Sequence, residues 1–217
     1  MQRTKRSANA IKMLEAAEFE FAEKGFESAT MELIAARASV SKSHLYYHFD
    51  SKDYLLEELF AVRVGEILAD KDELFAGEAM LDDALIERVL HEGVSSLLAA
   101  QPLFFRIAIL ELFRPGGRSD LVFGVLQGVT EDTLSRFRAY GLHPDPIELQ
   151  SAVTWFALLP ILTELLIGEE RAHVLHLDPV KQHAAFESQL AQLYRAYLDQ
   201  LRRAPLTKGG GDHASRG

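Results

Sequence analysis

Apolar residues recur every three or four positions through most of the chain, the spacing that places side chains on one face of an α-helix. The first such segment covers residues 7–24, and its shared face carries Ala10, Leu14, Ala17 and Phe21. We find no convincing run of alternating apolar and polar residues, the pattern of a half-buried strand, between the helical segments. The pattern therefore predicts an all-α protein.

The same spacing predicts further helices, separated by loops that contain glycine, proline and polar residues. We expect them near residues 31–38, 42–49, 52–70, 82–99, 101–113, 118–140, 146–169 and 180–203. Pro160 falls inside one of them and predicts a kink, because proline lacks the N–H and its ring meets the carbonyl of the preceding turn.

The predicted helices divide into a short N-terminal group and a longer remainder. We expect a three-helix domain at residues 1–52 and a larger helical domain at residues 53–204. Residues 205–217 are polar and glycine-rich, which predicts a disordered tail.

Two short predicted helices in the N-terminal domain each follow a side chain that caps helices well. Thr30 precedes the first and Ser41 precedes the second, and each hydroxyl is suited to accept a hydrogen bond from the first helical turn. A three-residue turn that begins at Ser39 joins them. This arrangement is a helix-turn-helix, whose second helix enters the major groove of DNA.

A helical wheel divides the second of these helices into a core-facing side and an exposed side. With Leu45 directed towards the core, Phe49 falls close to it, while Ser43 and Tyr47 point outward. The exposed arc carries hydrogen-bonding and aromatic side chains and almost no acidic ones. That composition favours a surface that contacts DNA over an ordinary solvated face.

The residue types on this arc predict how DNA is contacted. The first residues of the helix reach base edges, where Lys42 is suited to guanine. The later aromatic and histidine side chains are expected to meet phosphates or sugars, with core packing as the alternative for the tyrosines. Thr30 and Lys52 lie at other helix N-termini, which attract phosphate. The predicted DNA-binding residues are Thr30, Ser41, Lys42, Ser43, His44, Tyr46, Tyr47, His48 and Lys52.

The formal net charge of −9 at first argues against a nucleic-acid partner, but its distribution changes that reading. Residues 1–54 hold eight basic and eight acidic residues, so the acidic excess lies beyond them. The first 14 residues carry four basic residues and no acid. We expect any phosphate-facing surface at this end, with Arg3, Lys5 and Arg6 adding non-specific attraction or a minor-groove arm.

The run AAEFEFAEKGFESATMELIAARASVSKSHLYYHFDSKDYLL resembles the N-terminal DNA-binding region of TetR-family regulators, and the resemblance extends over about residues 7–60. The matching landmarks are Phe21, Gly25, Phe26, Thr30, Ile34, Ala35, Ala38, Val40, Ser41, Leu45, Tyr46, Tyr47, Phe49, Lys52 and Leu55. Ser39 departs from the pattern, since the family usually has glycine in this turn. If the position needs a positive φ, serine costs on the order of 1 kcal/mol there.

The resemblance implies a repressor whose C-terminal domain dimerises through its last two long helices. Its expected partners are a palindromic double-stranded DNA operator, a second copy of the chain and a small, largely apolar effector that releases the DNA. The two recognition helices would then fit half-sites about 34–36 Å apart. The apolar stripe of the last helix is suited to the core or to this dimer interface. The predicted interface residues are Leu158, Leu162, Phe186, Leu190, Leu193 and Tyr197.

The resemblance also implies a ligand cavity bounded by the middle helices. Aromatic residues there are candidates for its lining, and polar residues on otherwise apolar helices are candidates for orienting a ligand. The predicted ligand-binding residues are Arg63, Arg106, Phe123, Gln127, Trp155 and Phe156. The alternatives are ordinary core packing for the aromatic residues and salt bridges with Glu66 or Glu111 for the arginines.

Other classes of function find less support in the sequence. His173, His176, Asp178 and His183 suggest a metal site, but Pro179 interrupts any helix there, so we expect a polar loop, no metal and no cofactor. An enzyme acting on a small apolar substrate is the alternative from another class. We find no nucleophile–base pair or phosphate loop to support it, and we expect no enzymatic activity. A ligand-independent DNA-binding repressor fits the sequence as well as an inducible one.

Composition bears on the cellular location. The chain has no cysteine, which fits a cytoplasmic protein and excludes disulfides and thiolate sites. Residues 152–167 form an apolar run that falls short of the about 20 residues a membrane span needs. We therefore expect a buried or interface helix there, and no membrane partner.

Overall fold

The computed structural model describes residues 7–89 and 100–203. These residues form α1 (Ala8–Ser28), α2 (Met31–Arg37), α3 (Lys42–His48), α4 (Lys52–Phe75), α5 (Asp83–Arg88), α6 (Pro102–Phe113), α7 (Ser119–Ala139), α8 (Pro146–Ala152), a π-helical segment (Val153–Leu158), α9 (Leu159–Val174) and α10 (Pro179–Arg203). No β-strand occurs in the described ranges, and the expectation of an all-α fold is confirmed. The predicted helix at 82–99 lies partly outside them, as do Arg3, Lys5, Arg6 and the predicted tail.

Helix α1 is the element around which the N-terminal half packs. Its apolar face is buried, with Leu14, Ala17 and Phe21 almost fully shielded from solvent. Helices α2 and α4 lie against it on one side, and α6 makes its most extensive contact. One continuous core therefore runs from the short N-terminal helices into the larger helical part.

Glycine at position 25 breaks α1 near its end. Gly25 adopts φ 76° and ψ 160°, a conformation that side chains with a Cβ rarely reach, so the last turn is offset from the rest of the helix. The sequence predicted that the helix stops at Gly25; the structure instead adds one short turn after it, up to Ser28. This turn places Phe26 in the core beside Phe21, with ring centroids 5.4 Å apart.

Helix α4 crosses the predicted domain boundary without interruption, from Lys52 to Phe75. Its buried residues include Leu55 and Leu59 near its start, and Phe60 packs edge-to-face on Phe104 of α6 at 5.0 Å. A rigid rod therefore joins the N-terminal helices to the rest of the protein.

Pro160 disturbs its helix in a different form from the predicted kink. The backbone stays helical from α8 into α9, but residues Val153–Leu158 form a π-helical segment immediately before the proline. Pro160 cannot donate to the carbonyl of Phe156, and a π turn re-routes the hydrogen bonds of this region.

The resulting helix, Pro146–Val174, is 29 residues long, with a mean hydropathy of 1.7 over its most apolar window. By length and composition alone it could cross a membrane, and only 18% of that window is buried within the chain. The argument that the apolar run is too short for a span is therefore wrong, because the flanking polar turns extend the same helix. Its exposed apolar face calls for a covering surface.

The turn between α2 and α3 has the backbone conformation that the departure from glycine raised as a question. Ser39 adopts φ 57°, in the left-handed region. The N–H of Ser39 donates to Ala36 at 3.1 Å and that of Val40 donates to Ala35 at 3.0 Å, which is the paired hydrogen bonding of a Schellman ending. Serine thus holds a strained position because the flanking hydrogen bonds require it.

We predict that Ser39→Gly raises the free energy of unfolding by about 1 kcal/mol, because glycine reaches this φ without a steric penalty. Urea unfolding measures the change. Ser43→Gly is the matched control: its site is an exposed helical one, and glycine there should lower stability by about 0.5 kcal/mol. A loss of stability in Ser39→Gly would contradict the strain assigned to this turn.

Candidate nucleic-acid interface

Hydroxyl caps set the starts of the three helices at the N-terminal surface. The Thr30 side chain accepts from the N–H of Leu33 at 3.3 Å, and the Ser41 side chain accepts from His44 at 3.1 Å. At the start of α4, Ser51 accepts from Tyr54 at 3.0 Å. The predicted caps are confirmed, and each satisfies one of the N–H groups that a helix leaves without an internal partner.

The orientation of α3 agrees with the helical wheel. Leu45 is fully buried and Phe49 is 4% exposed, so this face anchors the helix to the core. Tyr47 is 81% exposed and Tyr46 is 40% exposed, while Ser43 also lies at the surface. Ordinary core packing is thus excluded for Tyr47, and α3 presents a polar and aromatic ridge to solvent.

The histidines of α3 lie along one edge of this ridge. His44 and His48 are half-buried, and their ring centroids are 5.2 Å apart. The Tyr47 ring meets His48 edge-on at 5.3 Å. These contacts order the aromatic side chains before any ligand arrives, which reduces the side-chain entropy lost on binding.

Lys42, at the first position of α3, is paired within the chain. Its ammonium donates to the carboxylate of Glu32 on α2, and the ring of Tyr46 lies 5.7 Å from it. The hydrogen bond from Lys42 lowers the pKa of Glu32, and the same bond raises the pKa of Lys42. Both side chains are more than half exposed, so this pair is one that an incoming base or phosphate can exchange.

Lys52 lies at the start of α4, as predicted, but its side chain turns inward. The ammonium donates to the carbonyl oxygens of Phe26, Glu27 and Ala29 at the end of α1, at 2.7, 3.2 and 3.0 Å. The side chain that the sequence assigned to a phosphate is thus engaged with backbone. What remains exposed to a phosphate at this helix start is backbone N–H.

The polar residues predicted to orient a ligand all have acidic partners. Arg63 donates to Glu18 of α1 at 2.9 Å and to Glu66 at 2.8 Å, so the salt-bridge alternative with Glu66 is confirmed. Burial opposes the charge of Arg63, but these hydrogen bonds outweigh it and raise the pKa above its ordinary value.

The other two behave alike. Arg106 pairs with Glu23 of α1 at 3.3 Å, and Gln127 donates to Glu131 at 2.9 Å. Glu111, suggested as a partner for the arginines, is bound instead by Arg114 at 2.7 Å.

The aromatic residues predicted to line a cavity lie at the surface of the described chain. Phe123, Trp155 and Phe156 are each more than half exposed. A depression of ≈ 560 Å³ among the described residues is open to solvent and is lined by Ala196, Asp199, Gln200 and Arg203. None of the six residues predicted to bind a ligand lines it, so the ligand site stays a prediction.

The predicted dimer residues divide into two groups. Leu162 and Leu190 are buried within the chain, while Leu158, Phe186 and Tyr197 are half-buried. Leu193 is 51% exposed, as is Ile167 to a similar degree at 50%. The stripe therefore serves the core along one edge and leaves apolar side chains at the surface along the other.

Sequence reasoning missed the residues whose roles depend on how helices cross. Glu32 carries no local signal of a role, yet the packing of α2 against α3 brings it to Lys42. Arg114 reaches Glu27 of α1, and Arg118 reaches Glu57 of α4 at 2.7 Å. These arginines connect α6 and the start of α7 to the N-terminal helices, and no periodicity in the sequence points to them.

Two short capped helices joined by a tight turn, braced by α1, define a helix-turn-helix domain. Residues 13–59 match the family model described as bacterial regulatory proteins, tetR family. The chain is 36% identical over 61 residues to the HTH-type transcriptional regulator YhgD of Bacillus subtilis, a match that covers 28% of this chain and 32% of YhgD. It is 27% identical over 128 residues to the HTH-type transcriptional repressor BepR of Brucella suis, covering 58% and 54%.

The chain thus matches about a third to a half of the length of these relatives. A solved structure of similar fold, the transcriptional regulator FadR from Bacillus subtilis in complex with stearoyl-CoA, has a TM-score of 0.61 and 18% identity, covering 83% of this chain and 97% of FadR. The chain belongs to the tetR family of bacterial regulatory proteins.

We predict that Leu45→Ala and Tyr47→Ala have opposite effects on folding. Leu45→Ala should lower the free energy of unfolding by about 2–5 kcal/mol, because it leaves a cavity beneath α3. Tyr47→Ala should change it by no more than about 0.5 kcal/mol, because the ring is exposed. Thermal unfolding of both variants measures this; similar losses in the two would mean that Tyr47 is part of the core.

Proposed function

We propose that this protein is a homodimeric transcriptional repressor that binds a palindromic operator through α3 and is released by a small, largely apolar ligand. The observation that carries the proposal is the exposed ridge of α3, anchored by Leu45 and presenting Ser43 and Tyr47. Such a ridge suits the major groove, where the residues at the start of a recognition helix meet base edges. A cytoplasmic location follows from this role.

The DNA contacts we propose follow the exposure of each residue. Lys42, freed from Glu32, and Ser43 read base edges; lysine donates well to guanine O6 and N7. Tyr46 and Tyr47 meet phosphates or sugars, which fixes the register of the helix. The further proposed contacts are Thr30, Ser41, His44, His48 and the backbone at Lys52.

We propose that the second copy covers the exposed apolar side of α9 and α10. Exposed apolar residues are concentrated on the last helices, among them Ile167, Val180 and Leu193. A contiguous apolar surface of this kind is unfavourable in water and is typical of association sites. A dimer with two-fold symmetry places two copies of α3 about 34–36 Å apart, one turn of DNA.

Helix α4 is the element we propose as the lever between ligand and DNA. Ion pairs fasten it to the larger helical part at both ends: Arg118 binds Glu57 near its start, and Lys71 binds Asp132 of α7 at 2.7 Å. A shift of α7 therefore moves α4, and with it α3. A coupling of about 1–3 kcal/mol suffices to change DNA affinity by about 5- to 150-fold.

A ligand-independent repressor is the second candidate, because Arg63, Arg106 and Gln127 have acidic partners and are not free for a ligand. The inducible form is supported by the similar fold of FadR, which was solved with stearoyl-CoA. Release of bound DNA by added stearoyl-CoA distinguishes the two, since a ligand-independent repressor stays bound.

We predict that the purified protein binds DNA from just upstream of its own gene more tightly than a random-sequence duplex, with affinity that falls steeply as salt rises. Phosphate contacts release counterions, so the logarithm of the affinity falls by about 0.9 per contact for each unit of log salt. Tyr47→Ala should weaken this binding by about tenfold, since it removes one contact per subunit. Fluorescence anisotropy over a salt series measures both.

Phe123→Ala is the matched control, since it removes an exposed aromatic ring from α7 and should leave DNA binding unchanged. Equal, weak binding of the wild type to both duplexes would argue against a specific operator in that fragment. Undiminished binding by Tyr47→Ala would remove α3 from the interface.

We predict that the protein is a dimer in detergent-free buffer and that Leu193→Glu converts it to a monomer, because a buried unpaired carboxylate is costly. Sedimentation velocity gives the masses. Met80→Glu places the same charge at another exposed apolar site, 68% exposed, and should stay dimeric. A monomeric wild type would contradict the homodimer, and a dimeric Leu193→Glu would move the interface away from this residue.

A further inference from the structure

The ammonium of Lys52 is held in a socket of backbone oxygens. It donates to the carbonyls of Phe26, Glu27 and Ala29 at 2.7, 3.2 and 3.0 Å. The ring of Phe26 lies beneath it, with the nitrogen 4.4 Å from the ring centroid. An ammonium has three N–H donors and no acceptor, so all of its donors have partners in this arrangement.

The socket forms where a positive charge is most favourable. Carbonyl groups at the end of a helix have no internal partner and carry the negative end of the helix dipole. The break at Gly25 offsets the last turn of α1 and exposes its carbonyls to Lys52. The cation over the face of Phe26 adds the attraction of the ring for positive charge.

The position of the socket in the chain gives it a second consequence. Ala29 is the residue before the helix-turn-helix, which covers residues 30–51, and Lys52 is the residue after it. One ammonium therefore joins the entrance of this unit to its exit. The two ends of the unit are also the two ends that determine where α3 lies.

We propose that Lys52 is a positioning residue that clasps the entrance and exit of the helix-turn-helix and thereby sets the orientation of α3, and that its side chain makes no contact with DNA phosphate. Binding a phosphate would require the ammonium to leave at least one carbonyl without its charged donor. Lys42 offers the contrast, because its side chain is 53% exposed and its partner Glu32 is 58% exposed. This inference rests on the proposed DNA binding only for its functional consequence.

Chemical labelling of the wild-type protein tests the socket without any DNA. Brief acetylation with an N-hydroxysuccinimide ester, followed by peptide mass spectrometry, reports each amine separately. We expect Lys52 to react at least about tenfold more slowly than Lys42, because its donors are held by charge-assisted hydrogen bonds. Adding a random-sequence duplex should protect Lys42 and leave the rate at Lys52 unchanged. Rapid labelling of Lys52 that DNA then suppresses would overturn the proposal.

The functional consequence is tested with Lys52→Met, which keeps the aliphatic stem and removes the ammonium. Below its melting temperature, we expect about tenfold weaker binding to the upstream fragment, with less than about twofold change on the random duplex. The salt slope on the random duplex should match that of the wild type, whereas loss of a phosphate contact lowers it by about 0.9 per subunit. A residue that merely stabilises the fold would leave the ratio of the two affinities unchanged.

Lys42→Met is the matched control, since it removes the same group from the exposed ridge and should lower the salt slope. A lowered slope in Lys52→Met, or an unchanged ratio of affinities, would each overturn the positioning role. If the wild type binds neither duplex, the proposed function fails while the free-protein labelling still decides the socket. If Lys52→Met does not fold, the labelling of the wild type again decides it.

Discussion

The burial of α1 between the helix-turn-helix and α6 is the constraint on which the rest of the structure depends. Met13, Ala17 and Phe21 are all within 1% of complete burial, and they fill the space that α2, α4 and α6 share. Each apolar side chain removed from water to this extent contributes about 1.5–3 kcal/mol. Without this contact α3 would have no fixed base, because its own apolar surface amounts to little more than Leu45 and Phe49.

Charged groups add direction to this apolar contact. Glu111 of α6 is 1% exposed, and it accepts from Arg114 and from the backbone N–H of Arg118 at 3.1 Å. The loop that makes these contacts is closely packed, since a Cβ at Gly117 would lie 2.2 Å from the carbonyl oxygen of Glu111. The two arginines then reach α1 and α4. Exposed ion pairs add little stability, so their effect is to fix how the N-terminal helices sit on α6.

The features that sequence predicted well are the local ones. A capping hydroxyl such as Ser41 acts on the next three residues, and the burial of Leu45 follows from its place in the helical period. The positive φ of Ser39 was likewise anticipated, because the turn itself requires it. All of these depend on a few neighbouring residues.

The features that sequence did not predict depend on contacts between distant residues. Lys52 was assigned to phosphate because it starts a helix, and only the offset last turn of α1 shows where its ammonium goes. Arg63 was a candidate for a ligand until Glu18, 45 positions away, was found beside it. The form of the disturbance at Pro160 depends on how the surrounding helix redistributes its hydrogen bonds, which no single residue determines.

The measurement that tests the central claim most directly is methylation protection of guanine N7 in the DNA upstream of the gene. Guanine N7 lies in the major groove, where we place α3. The account predicts protected guanines in two clusters about 10 base pairs apart, one for each copy of α3. Binding that protects no guanine N7, or that protects the minor groove alone, would contradict it.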